Sequence, residues 1–146
     1  MNEDLINALQ KVLADTFVMY YKTHTYHWNV EGPNFPQYHD FFGDLYGELF
    51  GAVDSIAEKI RQLDGFPPTS LAKLKANSML SEDDSVIPTA SMITRLLDAN
   101  NLVLVALMRS YEAAEAATEI GVSNFIQDRI MVHQKHGWML KAMSKV

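Results

Sequence analysis

A chain of 146 residues, 48% hydrophobic and without cysteine, suits one domain with its own core and excludes disulfides and thiolate metal sites, which leaves histidine and carboxylate as the strong side-chain ligands. A formal charge of −6 argues against nucleic acid as a default partner and favours cations as visitors. No apolar run of membrane-spanning length is expected, and the opening Met1-Asn2-Glu3-Asp4 lacks the basic and apolar segments of a secretory signal, so the chain reads as cytoplasmic with no membrane partner.

Residues 3–31 read as a first helix. Leu5, Leu9, Val12, Thr16, Tyr20, His24, His27 and Glu31 recur at helical spacing, and Leu13, Phe17 and Trp28 widen the stripe. An isolated histidine on such a stripe is ordinarily a hydrogen-bonded member of the core, and His24 is given that role or that of a neighbour behind a ligand. Gly32-Pro33-Asn34 then break the helix and reverse the chain. A second helix starts near Pro36 and runs to about Asp64, where Gly65 and Pro67-Pro68 stop it. Phe42, Tyr46, Leu49, Val53, Ile56, Ile60 and Leu63 keep its period. Gly43, Gly47 and Gly51 share one face of it. Each costs roughly 1 kcal/mol against alanine in a helix interior, so the line suggests close approach of another helix, from a two-fold partner or from the same chain.

Residues 66–88 form a connector too long for an ordinary helix–helix turn, with a short helix expected over Leu71 to Ala76, and its length suits a span of the bundle's long axis. The third helix is expected from Thr89 to Ile120, with Gly121 ending it. The fourth is expected from Ser123, as N-cap, to Met143. His133 and His136 lie at i, i+3 but lack a matching acid motif, which favours structural or surface roles. The eight methionines read as core filler. The expectation is an all-α four-helix bundle, up-down-down-up, with one long crossover carrying a short helix, in a single domain over 1–146.

Chemistry concentrates in the stretch from His24 to Glu58. His27 and His39 lie twelve residues apart with the chain reversal almost midway, so both imidazoles return to the same height on adjacent antiparallel helices, a common start for a metal site. Asp54 and Glu58 share a helix face at i, i+4, and their ordinary reading is a solvated pair, with Glu58 also in reach of Arg61. Asp54, however, lies fifteen residues beyond His39 on one helix, roughly 22 Å along the axis at about 1.5 Å per residue. The acids cannot share an ion with the histidines of their own chain. A second copy with its helix antiparallel can bring its Asp54 and Glu58 to this His27 and His39, and a two-fold dimer does so twice. Two adjacent buried carboxylates repel, and a divalent cation removes that penalty. The chain contains no Glu-x-x-His, which disfavours an ordinary intrachain di-iron centre.

The segment Lys22-Thr-His-x-x-His-Trp-Asn-Val-x-Gly-Pro-Asn-Phe35, followed by His39 and then Asp54-x-x-x-Glu58, closely resembles the Dps family of miniferritins within the ferritin-like superfamily. Leu63-Asp64-Gly65, Asp128-Arg129, His133, Lys135 and Trp138-Met139-Leu140 extend the resemblance over most of the chain. The resemblance implies a ferritin-like fold and an inter-subunit ferroxidase site with His27, His39, Asp54 and Glu58 as ligands, and Trp28 as a neighbour that quenches radicals. It further implies iron storage and detoxification: Fe(II) oxidised mainly by hydrogen peroxide, and the Fe(III) product mineralised inside a hollow twelve-subunit shell built from two-fold dimers. Imidazole and carboxylate donors suit Fe(II), and zinc competes for them. The pattern departs at Gly43, where many relatives carry an acid. That weakens the case for a well-held second iron, and Asp40 or Asp44 is not an evident replacement. Glu115, Glu119 and Asp128 are candidates to line entry pores, although a solvated face is the ordinary reading of each.

DNA binding is expected to be weak or absent, since the chain begins with Asn2-Glu3-Asp4 and ends with only Lys141 and Lys145, where DNA-binding members often carry a lysine-rich tail. The rival readings are a shell that sequesters metal without efficient turnover and a DNA-compacting structural protein.

Overall fold

A computed structural model of the chain describes residues 2–145. Its described elements are all helical: α1 (Glu3–Asn29), α2 (Phe35–Gln62), α3 (Leu71–Ala76), α4 (Thr89–Ala116) and α5 (Ile120–Met143). The α1–α2 and α4–α5 pairs are antiparallel hairpins, and α1 packs on α4 to join them. Asn2 on the entry to α1 bonds Glu119 beyond the end of α4, and Thr89 at the start of α4 bonds the Glu31 carbonyl beyond the end of α1. α1 and α4 are therefore antiparallel, and the bundle runs up-down-down-up. One core cluster draws on all four long helices, with Leu9, Phe42, Leu49, Leu96, Ile126 and Leu140 fully buried. Arrays of this kind along each helix supply most of its stability, because an amphipathic face gains more from packing than from propensity.

The long crossover climbs the flank of α1 in register. Gln10 donates to the Phe66 carbonyl, Asp15 accepts from the Ser78 hydroxyl and the Met79 amide at 2.8 Å each, and Asp83 accepts from Lys22 and Tyr26. Arg95 of α4 completes the shell around Asp83, so one carboxylate ties crossover, α1 and α4 together. α3 covers the residues expected of it and is capped by the Ser70 hydroxyl, which accepts from the Lys73 amide.

The helix ends depart from the sequence reading at four places. α1 stops at Asn29 because Val30 is extended, which leaves Glu31 outside the helix. α2 begins at Phe35, after Asn34 takes a left-handed φ of 67°, with Pro36 in its first turn, and it ends at Gln62. α4 ends at Ala116 rather than Ile120, because Thr118 adopts a left-handed φ of 56° and the Glu119 amide turns back to the Ala114 carbonyl. α5 accordingly starts at Ile120. Gly121 lies in its first turn, and Ser123 is no cap: it is buried within the helix and donates to Glu115 at 2.7 Å. Gly65 is required where α2 turns into the crossover, since a Cβ there would stand 2.9 Å from Ile6 Cγ2.

Two expectations about apolar residues also change. Met19 and Met92 fill the core, but Met79, Met108 and Met131 are exposed. By length and composition α4 is long and apolar enough to cross a membrane, against the expectation of none. Its inner face is packed in the bundle, and Leu102, Val105 and Met108 on its outer face raise its apolarity beyond what the core needs.

Candidate metal centre

The last carbonyls of α1 have no partner within the helix. One of them, that of His27, accepts a hydrogen bond from His39 Nδ1 at 2.7 Å, and the His39 carbonyl accepts one from His27 Nδ1, also at 2.7 Å. A carbonyl only accepts, so in both rings Nδ1 carries a proton, and the neutral imidazole then has its lone pair on Nε2. The rings stack with centroids 3.7 Å apart. Both are half-buried, with Phe35 stacked on the outer side of His39 at 5.0 Å. This is the arrangement that fixes tautomer and ring orientation in ligating histidines. Gly43 makes room for it: a Cβ there would lie 3.2 Å from both Cε1 and Nδ1 of His27. The glycine line therefore has two explanations. Gly43 admits an intrachain ring, while Gly47 and Gly51 have nothing within 4 Å.

His24 sits one turn below His27. Its ring stacks on Tyr46 at 3.8 Å and meets Trp28 at 4.1 Å, and its Nδ1 pairs with the Tyr20 hydroxyl at 2.9 Å. Partial burial, then the neighbouring His27, lowers its pKa. With Nδ1 occupied by Tyr20, His24 supports the pair from behind. Trp28 is 56% exposed and borders His24 rather than the stacked pair.

Asp54 and Glu58 are exposed on α2, roughly 22 Å and more from His39 along the helix. The pairing of Glu58 with Arg61 does not form. Arg61 instead donates to the Gly65 carbonyl at 2.7 Å and covers the Phe66 ring. The fold thus brings His27 and His39 together and leaves both acids at a separate place on the same face-bearing helix. Among the described residues, no three histidine or acidic side chains of one chain converge to hold a metal.

A second polar constellation escaped the sequence reading. Where α2 faces α5, Arg129 forks onto the Glu48 carboxylate, with Nη2 at 3.2 Å from Oε1, and His136 Nε2 reaches the same oxygen at 2.8 Å. His133 and His136 are buried structural residues rather than surface ones. Burial resists the charge on Glu48, but the bonds from His136 and Arg129 prevail and hold its pKa at about 2. Burial, aided by Arg129 and His136, pulls His133 down to about 3. The only sequence signal was the pair of histidines at i, i+3.

Of the pore candidates, Glu115 accepts from Ser123, Glu119 accepts from Asn2, and Asp128 is exposed.

The sequence matches the ferritin-like domain family over residues 6–145. It is 30% identical over 142 residues to DNA protection during starvation protein 2 of Bacillus anthracis, covering 97% of each chain. It is 31% identical over 145 residues to general stress protein 20U of Bacillus subtilis, covering 97% of this chain and 98% of that one. Among solved structures, the Dps protein of Vibrio cholerae O1, described as a member of a broad superfamily of ferritin-like diiron-carboxylate proteins, superposes with a TM-score of 0.94 at 30% identity, over 99% of this chain and 91% of that one.

Proposed function

The chain belongs to the ferritin-like family, as one of its Dps proteins, and from that membership together with its paired histidines we propose that it oxidises Fe(II) with hydrogen peroxide at a site shared between two copies. His27 and His39 of one copy and Asp54 and Glu58 of the other are the ligands. The observation that carries this is the reciprocal bonding of the two imidazoles, which occupies both Nδ1 atoms and leaves both Nε2 atoms without a hydrogen-bond partner in their own chain. The carboxylates neutralise the ion, and an unfilled coordination position leaves room for the oxidant. Each Fe(II) yields one electron and each peroxide takes two, breaking its O–O bond to leave oxygen at the level of water. The Fe(III) then hydrolyses, releases protons and deposits as mineral.

The surface that a second copy would cover is left open by the chain's own packing. Gly47 and Gly51 are open, Phe50 between them is 56% exposed, and Tyr21 and Trp28 are exposed on α1. The outer face of α4 offers a further apolar contact. We take the working form to be a homo-oligomer, a dodecameric shell of two-fold dimers storing iron in the cytoplasm. Its charge of −6 per chain draws cations and opposes DNA. Zinc, with the same ligand preferences, is the expected competitor.

The test is an anaerobic Fe(II) titration followed by peroxide, read as Fe(III) absorbance. The unaltered protein should give a rapid rise. His27→Ala with His39→Ala should abolish that rise while size-exclusion chromatography shows the same assembly. A double variant that oxidises iron at the unaltered rate places the site elsewhere.

A further inference from the structure

A row of rings on the α1–α2 hairpin leads away from the paired histidines. Tyr46 on α2 meets His27 edge-on, with centroids 5.2 Å apart, and stacks on His24 at 3.8 Å with 10° between the planes. One turn further down α1, the Tyr20 ring lies 5.6 Å from His24 and 6.1 Å from Tyr46. Every step in the row is between rings in contact. At its far end the Tyr20 hydroxyl is 2.9 Å from His24 Nδ1. A phenol is a much stronger acid than a neutral imidazole N–H, so the hydroxyl donates and Nδ1 accepts.

Packing alone does not call for this hydroxyl. Phe17 and Phe50 flank the Tyr20 ring at 5.7 and 5.0 Å, so the position is an apolar one that phenylalanine would fill equally well. What tyrosine adds is an oxidisable phenol with a base already on its proton. Removing an electron from a phenol leaves a strongly acidic cation, so the oxidation proceeds readily only where that proton has somewhere to go. His24 receives it without leaving the row. The iron chemistry has a use for such a donor: His27, His39, Asp54 and Glu58 are a ligand set for one ion, which supplies one electron, while peroxide takes two.

We propose that Tyr20 is a redox partner of the shared site: it supplies the second electron through His24 and Tyr46 and passes its phenolic proton to His24 Nδ1. In the first half of the cycle Fe(II) and the Tyr20 phenol each lose one electron. Peroxide takes both, with two protons from solvent, and its O–O bond breaks to give two waters. The phenolic proton stays on His24 as imidazolium. In the second half another Fe(II) gives its electron to the tyrosyl radical, which recovers its proton from His24. The sum is two Fe(II) and one peroxide, with no hydroxyl radical released. Trp28 touches His24 at 4.1 Å but is 56% exposed, and it is a side branch of the row rather than the store. The destination of the electron rests on the shared-site reading; the oxidisable Tyr20–His24 pair does not.

Two measurements test the pair and its use separately. In the assembled, iron-free protein, flash-generated ruthenium(III) tris-bipyridine oxidises tyrosine, and the tyrosyl absorption reads the yield. Tyr20→Phe should remove one tyrosine's share of the fast phase. His24→Phe, which keeps the stack on Tyr46 but has no base, should slow that share by about 100-fold, the lower end of what a positioned base contributes. Tyr26, whose hydroxyl bonds Asp83, should be unaffected by either change and serves as the internal reference. An undiminished fast phase in Tyr20→Phe overturns the proposal. In the second measurement the protein is loaded anaerobically with one Fe(II) per site, mixed with an equal amount of peroxide and frozen. Electron paramagnetic resonance should show a tyrosyl radical that Tyr20→Phe abolishes. Fe(III) formed without a radical, or with a radical that Tyr20→Phe leaves unchanged, overturns the proposal and spares the shared site. No Fe(III) at all removes the shared site, and this use of Tyr20 with it.

Discussion

His27 and His39 each donate from Nδ1 to the other's backbone carbonyl, at 2.7 Å in both directions, so that two side chains on antiparallel helices lock one another's tautomer. Each bond also satisfies a backbone oxygen, and for His27 that oxygen belongs to the frayed end of α1. Ring orientation and the closure of the α1–α2 hairpin are therefore one interaction, and the proposed function takes this pair as the fixed half of its site.

If each site draws histidines from one copy and acids from the other, two inactive variants must complement. We expect the His27→Ala, His39→Ala chain and the Asp54→Asn, Glu58→Gln chain each to lack rapid peroxide-driven oxidation alone. After co-refolding in equal amounts, half of randomly formed dimers are mixed and each mixed dimer has one intact site, so roughly a quarter of the original activity should return. No recovery from an assembly that mass spectrometry shows to be mixed would mean that the site is not shared in this way.

Gly43 should not tolerate an acid. A Cβ at this position stands 3.2 Å from Cε1 and Nδ1 of His27, the nitrogen already donating to the His39 carbonyl. Gly43→Asp should push the ring off its partner and weaken Fe(II) binding by about 10–100-fold, the usual effect of disturbing a ligand's supporting bond. Anaerobic binding isotherms would measure this. Tighter binding, or a second iron per site, would show that the ring yields and that the acid ligates.

Asp83 should carry much of the crossover's attachment. Its carboxylate is 12% exposed and accepts from Tyr26, Arg95 and Lys22, and the Lys22 side chain is only 6% exposed. These bonds overcome the burial that would raise its pKa and leave it lowered. Asp83→Ala strands a buried ammonium, which costs about 3–5 kcal/mol. Thermal melts should show a large fall, and limited proteolysis should cut first between residues 78 and 88. An unchanged melting temperature would mean that Lys22 finds solvent.

Much of this molecule could be read from local patterns. The His27–His39 pairing followed from a turn-former midway between two helical stripes, and the short helix of the crossover from the polar and proline-rich residues around it. The junction of α4 and α5 was misread because Gly121 looked like the stop, while the left-handed turn is made by Thr118, a residue type that carries no such signal. The core network was invisible for another reason. Glu48 and Arg129 are separated by 81 residues, and a polar residue's spacing says nothing of its distant partner. The partner that the proposed function assigns to Asp54 and Glu58 is a second copy, and no pattern within one chain specifies it.

Acid should loosen the bundle at this network. His133 falls from an ordinary 6.5 to about 3 through burial, then Arg129 and His136, so below pH 6.5 the unfolded chain takes up a proton that the native chain refuses. Glu48 is held at about 2 against an ordinary 4.5 by His136 and Arg129, despite its burial, with the same sign at lower pH. In both cases the unfolded state binds more protons, so stability falls as pH falls: between about 6.5 and 3 for His133, and between about 4.5 and 2 for Glu48. Asp15 opposes them, because burial raises its pKa in spite of its bonds to Met79 and Ser78, and its native carboxyl protonates first. Urea midpoints should therefore drop from pH 6.5 to pH 5, above the range in which Glu48 titrates. His133→Gln should flatten that drop while lowering the midpoint at pH 7, since its amide can only partly replace the bonds to Asn100 and Arg129. Parallel losses in the two proteins over this interval would assign the acid sensitivity to another group.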